Sequence, residues 1–267
     1  MASIALTIAG SDSGGGAGIQ ADLKTFSALG AYGASVITAL TAQNTRAVTM
    51  VEPASPAVIA AQIAAVFDDL DVRAVKMGML GGPEAIASVA RGLAGHDLPI
   101  VLDPVMVAKS GDRLLPAGAL DALRDRLLPR ATVLTPNLPE AADLLGCAVA
   151  QDEAEMTRQA QALRAKGVRA VLMKGGHASG ADCVDLLVTA SGTTRLTAPR
   201  LNTRNTHGTG CTLSAAIAAG LAQGMALEAA VRRAHGYLQG AIAAADGLTV
   251  GAGHGPVHHF HQVWADG

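Results

Sequence analysis

Short apolar, β-branched runs separated by helix-length segments recur along this chain, and that alternation constrains its fold more than any other feature. The runs are Ile4–Ile8, Ser35–Leu40, Ala74–Met77, Ile100–Leu102, Val133–Thr135 and Ala170–Met173. A helix between two strands carries the chain back to the starting end of the sheet, so the pattern predicts parallel strands. Ser55-Pro56 supplies an N-cap and a first-turn proline for one helix, and Gly30 and Gly167 stand where helices should stop. Two later runs, Cys183–Thr189 and Thr193–Leu201, are joined by a short turn, which predicts an antiparallel hairpin at the sheet edge. No Pro/Ser-rich linker interrupts the series. The expectation is one domain over residues 1–267, a three-layer α/β/α fold with a mostly parallel central sheet.

Composition narrows the function classes. Half of the 267 residues are hydrophobic, enough for a large core, and 20 basic against 22 acidic residues leave a net charge of −2 with no block of like charge. Nucleic acid and anionic membrane surfaces are therefore poor partners. Cys147, Cys183 and Cys211 are too few and too dispersed for a disulfide framework or a zinc site, which fits a reducing compartment. Met1 to Gly10 lacks a basic n-region and reads as a strand rather than a signal peptide. Thr212–Val231, rich in alanine and glycine but broken by Gln223 and Glu228, suits a buried helix pair better than a bilayer span.

Ligands of such sheets collect at the carboxyl ends of the strands. The first junction, Gly10–Gly18, is glycine-rich and opens a helix at Ile19, so its free N–H groups are expected to favour an anion. It lacks the Gly-Lys-Ser/Thr ending of a phosphate-binding Walker loop, and no acid follows at the spacing a dinucleotide ribose needs. Without a ligand it is simply a flexible turn. The second junction, Asn205–Ser214 (NTHGTGCTLS), combines Gly208 and Gly210 with a helix start, an arrangement suited to the charge of phosphoryl transfer. Cys211 lies in that start, where a depressed thiol pKa would let it take a proton from an attacking hydroxyl; the plain alternative is a small packed cysteine.

Other strand ends carry Asp103, Asn137, Glu140 and Lys174, which together can manage magnesium and phosphates, although each alone is more often a cap or a solvated group. The tail His258-His259-Phe260-His261 reads as structural, because adjacent residues of a strand point to opposite sides.

These segments resemble the ribokinase-like kinases, and among them the hydroxymethylpyrimidine/phosphomethylpyrimidine kinases of thiamine biosynthesis. The resemblance spans nearly the whole chain and rests on Ala9–Lys24 (AGSDSGGGAGIQADLK), Lys76–Gly81 (KMGMLG), Asp103–Gly111 (DPVMVAKSG), Thr135–Glu140 (TPNLPE), Lys174–His177 (KGGH), Asn205–Ala219 (NTHGTGCTLSAAIAA) and Gly255–Phe260 (GPVHHF). It implies a ribokinase-like fold, ATP with Mg2+, and two phosphorylations of 4-amino-5-hydroxymethyl-2-methylpyrimidine, to the monophosphate and then the pyrophosphate. Gln43 falls where the family's glutamine bonds the aminopyrimidine, with Asp22 and Met79 near the same ring. Gly208 and Gly210 fall in the anion hole, and Cys211 where many relatives place an aspartate base. Lys174, Asn137 and Thr209 are the expected ATP and phosphate contacts, with Asp103 and Glu140 on the metal. A cytoplasmic homodimer is implied. His235 departs from the family, which commonly has lysine there, and bears on the second phosphorylation.

The nearest rival is a pyridoxal kinase, whose substrate also carries a hydroxymethyl group on a six-membered nitrogen ring; Gln43 favours the aminopyrimidine. A nicotinamide-dependent oxidoreductase and a non-catalytic binding protein are the readings from other classes.

Overall fold

The computed structural model describes residues 1–106, 118–176 and 181–264. The later part of the Asp103–Gly111 motif, from 107 onward, and His177 lie outside the described residues. The strands are β1 (Ile4–Asp12), β2 (Tyr32–Gln43), β3 (Val48–Pro53), β4 (Val72–Met77), β5 (Ile100–Leu102), β6 (Val133–Leu134), β7 (Ala170–Lys174), β8 (Asp182–Val188) and β9 (Thr193–Pro199). The helices are α1 (Gly18–Ala28), α2 (Pro56–Asp69), α3 (Pro83–Gly92), α4 (Ala119–Arg126), α5 (Leu138–Leu145), α6 (Glu153–Ala165), α7 (Thr209–Ala222) and α8 (Leu227–Ala243).

The nine strands among the described residues form one sheet in the order β3-β2-β1-β4-β5-β6-β7-β8-β9. The stretch from β2 through β7 is parallel, and β3, β8 and β9 join it antiparallel. The expected hairpin is β8–β9. The strand β3 was not expected: five of its six residues are exposed, so it has no buried face to impose a period-two pattern.

Strand side chains alternate between two cores. Leu6, Ile8, Val75, Met77, Leu102, Leu134, Val171 and Met173 pack with α2 to α6, whereas Ala5, Ala74, Val101, Val133, Ala170 and Leu172 pack with α1, α7 and α8. This is the expected three-layer arrangement. Ser55 caps α2 by accepting from the Val58 N–H at 3.3 Å, and Gly30 and Gly167 end their helices with left-handed backbone. The stretch Thr212–Val231 does form a buried helix pair, α7 and α8, and every residue from Thr212 to Ala222 is buried. Small side chains on both sides, Ala5 and Ala74 on the sheet and the alanines of α7, let this helix lie close behind the strands. Among the described residues no helix is long and apolar enough to cross a membrane.

The topology positions a site. From β1 the chain steps to β2 on one side, and after β3 and α2 it returns to β4 on the other. The loops leaving β1 and β4 therefore diverge and open a crevice at their carboxyl ends.

The α7–α8 crossing is tight enough to test. A Cβ on Gly220 would lie 2.8 Å from the Ala230 Cβ. Gly220→Val is expected to destabilise the protein by about 1–3 kcal/mol in urea denaturation, and Ala230→Gly in the same chain to recover part of that loss. An unchanged midpoint for the single variant would show that the crossing relaxes freely.

Candidate active site

The crevice is a cavity of about 830 Å3, lined among others by Gln43, Lys76, Met79, Asp103, Asn137, Glu140, Lys174 and Gly208 to Cys211. Six strand ends and the start of α7 converge on it, so residues more than a hundred positions apart share one space.

At the β1 end, the loop expected to hold a ligand anion holds one of its own. The Asp12 carboxylate accepts from the amides of Gly14 at 2.8 Å, Gly16 at 3.0 Å and Ala17 at 2.8 Å, and from His207 Nε2 at 3.0 Å. Burial opposes the charge of Asp12, but His207 and the Ala17 and Gly14 amides outweigh it and hold the carboxyl below its usual range. The expectation that these amides are open to phosphate is thereby corrected. The signal was present in Asp12-Ser13-Gly14, since aspartate commonly bonds the backbone two residues on.

Helix α7 begins at Thr209, after Gly208 in left-handed backbone at φ 82°. A side chain at Gly208 is doubly disfavoured, because a Cβ there would lie 1.9 Å from the Gly16 carbonyl oxygen. The two glycine-rich segments thus touch through their backbones. At Gly210 a Cβ would stand 3.4 Å from both Asp103 Oδ2 and Lys174 Nζ. The first turn of α7, with Thr209, Gly210 and Cys211, accordingly faces the cluster of charges on the next strands.

In that cluster Lys174 Nζ donates to Asp103 Oδ1 at 3.0 Å and lies 4.0 Å from Glu140 Oε2. Thr135 also donates to Asp103 Oδ1 at 3.0 Å. Burial works against the Asp103 charge, yet Lys174 and Lys76 keep its carboxyl low; burial likewise opposes Lys174, whose ammonium is pushed up to about 12 by Asp103 and Glu140. Glu140 is the exception: burial raises it to about 7, with Lys174 opposing and Asp103 adding to the rise. Asn137 caps α5 in a reciprocal box, its Oδ1 accepting from the Glu140 N–H at 2.9 Å while Glu140 Oε2 accepts from the Asn137 N–H at 2.8 Å. Both still line the cavity, though each has spent one oxygen on the helix start.

Two expectations are corrected here. Asp22 does not face the cavity: it is fully buried behind Lys76, whose Nζ donates to Asp22 Oδ2 at 2.8 Å, and Thr7 donates to the same oxygen at 2.6 Å. Lys76 takes its place on the cavity wall, protonated because the charges of Asp22 and Asp103 outweigh its burial. A lysine within the buried run Ala74–Met77 of β4 was the readable sign. The Cys211 thiol is not depressed either: burial pushes it up to about 11, with Lys76 pulling the other way, so at neutral pH it keeps its proton. The helix start is outweighed by the surroundings of the sulfur.

The tail histidines go separate ways. His259 is buried, with Nε2 3.1 Å from Thr212 Oγ1, and burial lowers it to about 3. His258 meets Trp264 edge-on, and His261 packs on Tyr237. His235 of α8 has Nε2 4.0 Å from Oδ2 of Asp185, a cavity-lining carboxylate that accepts from the Gly175 N–H at 2.9 Å.

Asp103 and Glu140 supply two hard oxygen donors beside Lys174, the number usual for a magnesium ion that brings a nucleotide's phosphates as its remaining ligands. Among the described residues no group of three or more acids, histidines or cysteines converges to hold a metal alone. The donor set therefore fits Mg2+ carried with a nucleotide.

Residues 12–258 match the phosphomethylpyrimidine kinase family. A hydroxymethylpyrimidine/phosphomethylpyrimidine kinase of Rhizobium meliloti is 61% identical over 266 residues, covering 100% of both chains. Among solved structures, a phosphomethylpyrimidine kinase from Clostridium difficile is 44% identical, with a TM-score of 0.80 over 90% of this chain and 99% of the other. An ADP complex of Bacillus subtilis pyridoxal kinase is 37% identical, with a TM-score of 0.89 over 97% and 98% of the two chains.

The protonation of Cys211 is directly measurable. Because its pKa is raised, its alkylation by iodoacetamide is expected to climb about tenfold per pH unit through neutrality and to level only near pH 11. A plateau reached below about pH 8 would restore the depressed thiol.

Proposed function

The chain belongs to the phosphomethylpyrimidine kinase family, and we propose that it uses ATP to phosphorylate 4-amino-5-hydroxymethyl-2-methylpyrimidine to the monophosphate and then the pyrophosphate, in thiamine biosynthesis. One observation carries this reading at the level of the site. A glutamine amide able to pair with an aminopyrimidine shares a single cavity with a helix start and a Lys174–Asp103–Glu140 cluster able to handle phosphates. The organisation as one domain over residues 1–267 belongs to the same proposal.

Transfer of a phosphoryl group asks the protein mainly for position and charge. Gln43 and Met79 hold the pyrimidine with its hydroxymethyl group toward Gly208, Gly210 and Cys211. Lys174 and the first N–H groups of α7, with Thr209, attract the phosphoryl oxygens, and Asn137 contacts the nucleotide phosphates. Asp103 and Glu140 would hold Mg2+, which supplies neutralisation of phosphate charge when bound. With its thiol protonated at rest, Cys211 is no ionised base waiting for the substrate. Its contribution lies in its backbone N–H at the helix start, and the proton of the attacking hydroxyl passes to an oxygen of the transferred phosphoryl group late in the transfer.

A pyridoxal kinase remains the second reading, favoured by the closeness of the Bacillus subtilis fold. Purified protein with Mg-ATP is expected to convert hydroxymethylpyrimidine, and separately its monophosphate, to the pyrophosphate, followed by ADP release and product mass. Arrest at the monophosphate would implicate His235 beside Asp185. Turnover of pyridoxal alone would put the second reading in place of the first.

The proposed assembly is a cytoplasmic homodimer joined through the free edge of β3. Leu40 of β2 and Met50 of β3 are 55% and 64% exposed on one face of the sheet there, and Val51 is 42% exposed on the other, beside the open backbone groups of the edge strand. Met50→Lys with Val51→Glu is expected to give a monomer in sedimentation equilibrium; an unchanged mass would place the contact elsewhere.

A further inference from the structure

Gln43 meets the cavity through a carboxamide whose two ends are fixed by different neighbours. Its terminal nitrogen is placed 3.2 Å from His207 Nε2, and its oxygen 3.3 Å from Thr41 Oγ1. The same His207 nitrogen lies 3.0 Å from Asp12 Oδ2. A ring nitrogen carries at most one hydrogen, and a carboxylate only accepts, so Nε2 must bear a hydrogen directed at Asp12. An amide NH2 in front of that N–H would set donor against donor. Half a rotation of the amide about its last bond exchanges oxygen and nitrogen and moves no other atom.

After that rotation no donor is set against a donor. His207 Nε2–H serves both Asp12 Oδ2 and Gln43 Oε1. The Thr41 hydroxyl spends its hydrogen on the Ser11 carbonyl at 2.8 Å, leaving its oxygen to accept from the Gln43 amide. The imidazole itself is clamped. A Cβ on Gly16 would lie 2.4 Å from its Cδ2, and the flanking backbone is tied by His207 N–H to the Gly255 carbonyl at 3.0 Å and by Val257 N–H to the His207 carbonyl at 3.3 Å.

We propose that His207, held by Asp12 as the Nε2–H tautomer, fixes the orientation of the Gln43 carboxamide and thereby the face on which a pyrimidine binds, an assignment that rests on the kinase reading above. Gln43 then keeps one oxygen lone pair and one N–H for the cavity. A ring nitrogen beside an exocyclic amine uses both, in one order only. Reversing the amide reverses the ring and carries the hydroxymethyl group away from Cys211. His207 is thus a positioning residue that acts on substrate orientation through Gln43.

Two measurements decide it. In the unliganded protein, long-range proton–nitrogen NMR is expected to show a hydrogen on His207 Nε2; a bare Nε2 overturns the proposal. In kinetics, His207→Leu is expected to lower kcat for hydroxymethylpyrimidine about tenfold with KM falling alongside it, the signature of non-productive binding. His207→Gln, which can still donate to Asp12, should restore most of the loss. Equal kcat in wild type and His207→Leu, or a fall in kcat that His207→Gln does not restore, also overturns it. Should the wild type not phosphorylate the pyrimidine at all, the functional reading fails, while the NMR result still decides the tautomer and amide orientation.

Discussion

The Asp12 carboxylate joins two glycine-rich segments that the sequence keeps 195 residues apart from Asp12 to His207. It gathers the amides of its own loop and holds His207 of the other, so the turn after β1 and the start of α7 become one wall of the cavity. A buried carboxylate with several donors is stable only while those donors stay in place, which makes the loop geometry a single cooperative unit. The close backbone contact of Gly208 with Gly16 belongs to the same unit.

Behind this wall the charges alternate. Asp22 holds Lys76, Lys76 faces Cys211 and Asp103, and Asp103 holds Lys174, which reaches toward Glu140. Breaking such a pair by removing one member typically costs about 3–5 kcal/mol, because the other charge is left buried and alone. That sensitivity explains why Lys76 stays protonated although it is fully buried. It also explains the behaviour of Cys211: one nearby cation does not offset the loss of water around the sulfur, so the helix start alone is a poor guide to its ionisation.

Much of the architecture was legible because it follows from local chemistry. The apolar runs became the parallel strands, the short turn after β8 gave the hairpin, Ser55 capped α2 and the alanine-rich stretch became the buried pair α7 and α8. The edge strand β3 was illegible for a physical reason: with nothing packed on either face, no alternation was imposed on it. At the site, Gln43, Met79, Asp103, Glu140, Lys174 and the Gly208–Cys211 turn do line one cavity. Asp12, His207 and Lys76 were passed over, since their importance lies in partners distant along the chain.

The sequence by itself determined which segments are strands and helices, where the glycine turns fall and which chemistry-bearing residues sit at strand ends, because these depend on neighbours a few positions away. Tertiary structure alone decided that Asp22 is withdrawn behind Lys76, that Asp12 rather than a ligand fills the first loop, and that Cys211 keeps its proton. Each of those outcomes turns on burial and on charges brought close by the fold, and both are properties of the assembled packing rather than of any local run of residues.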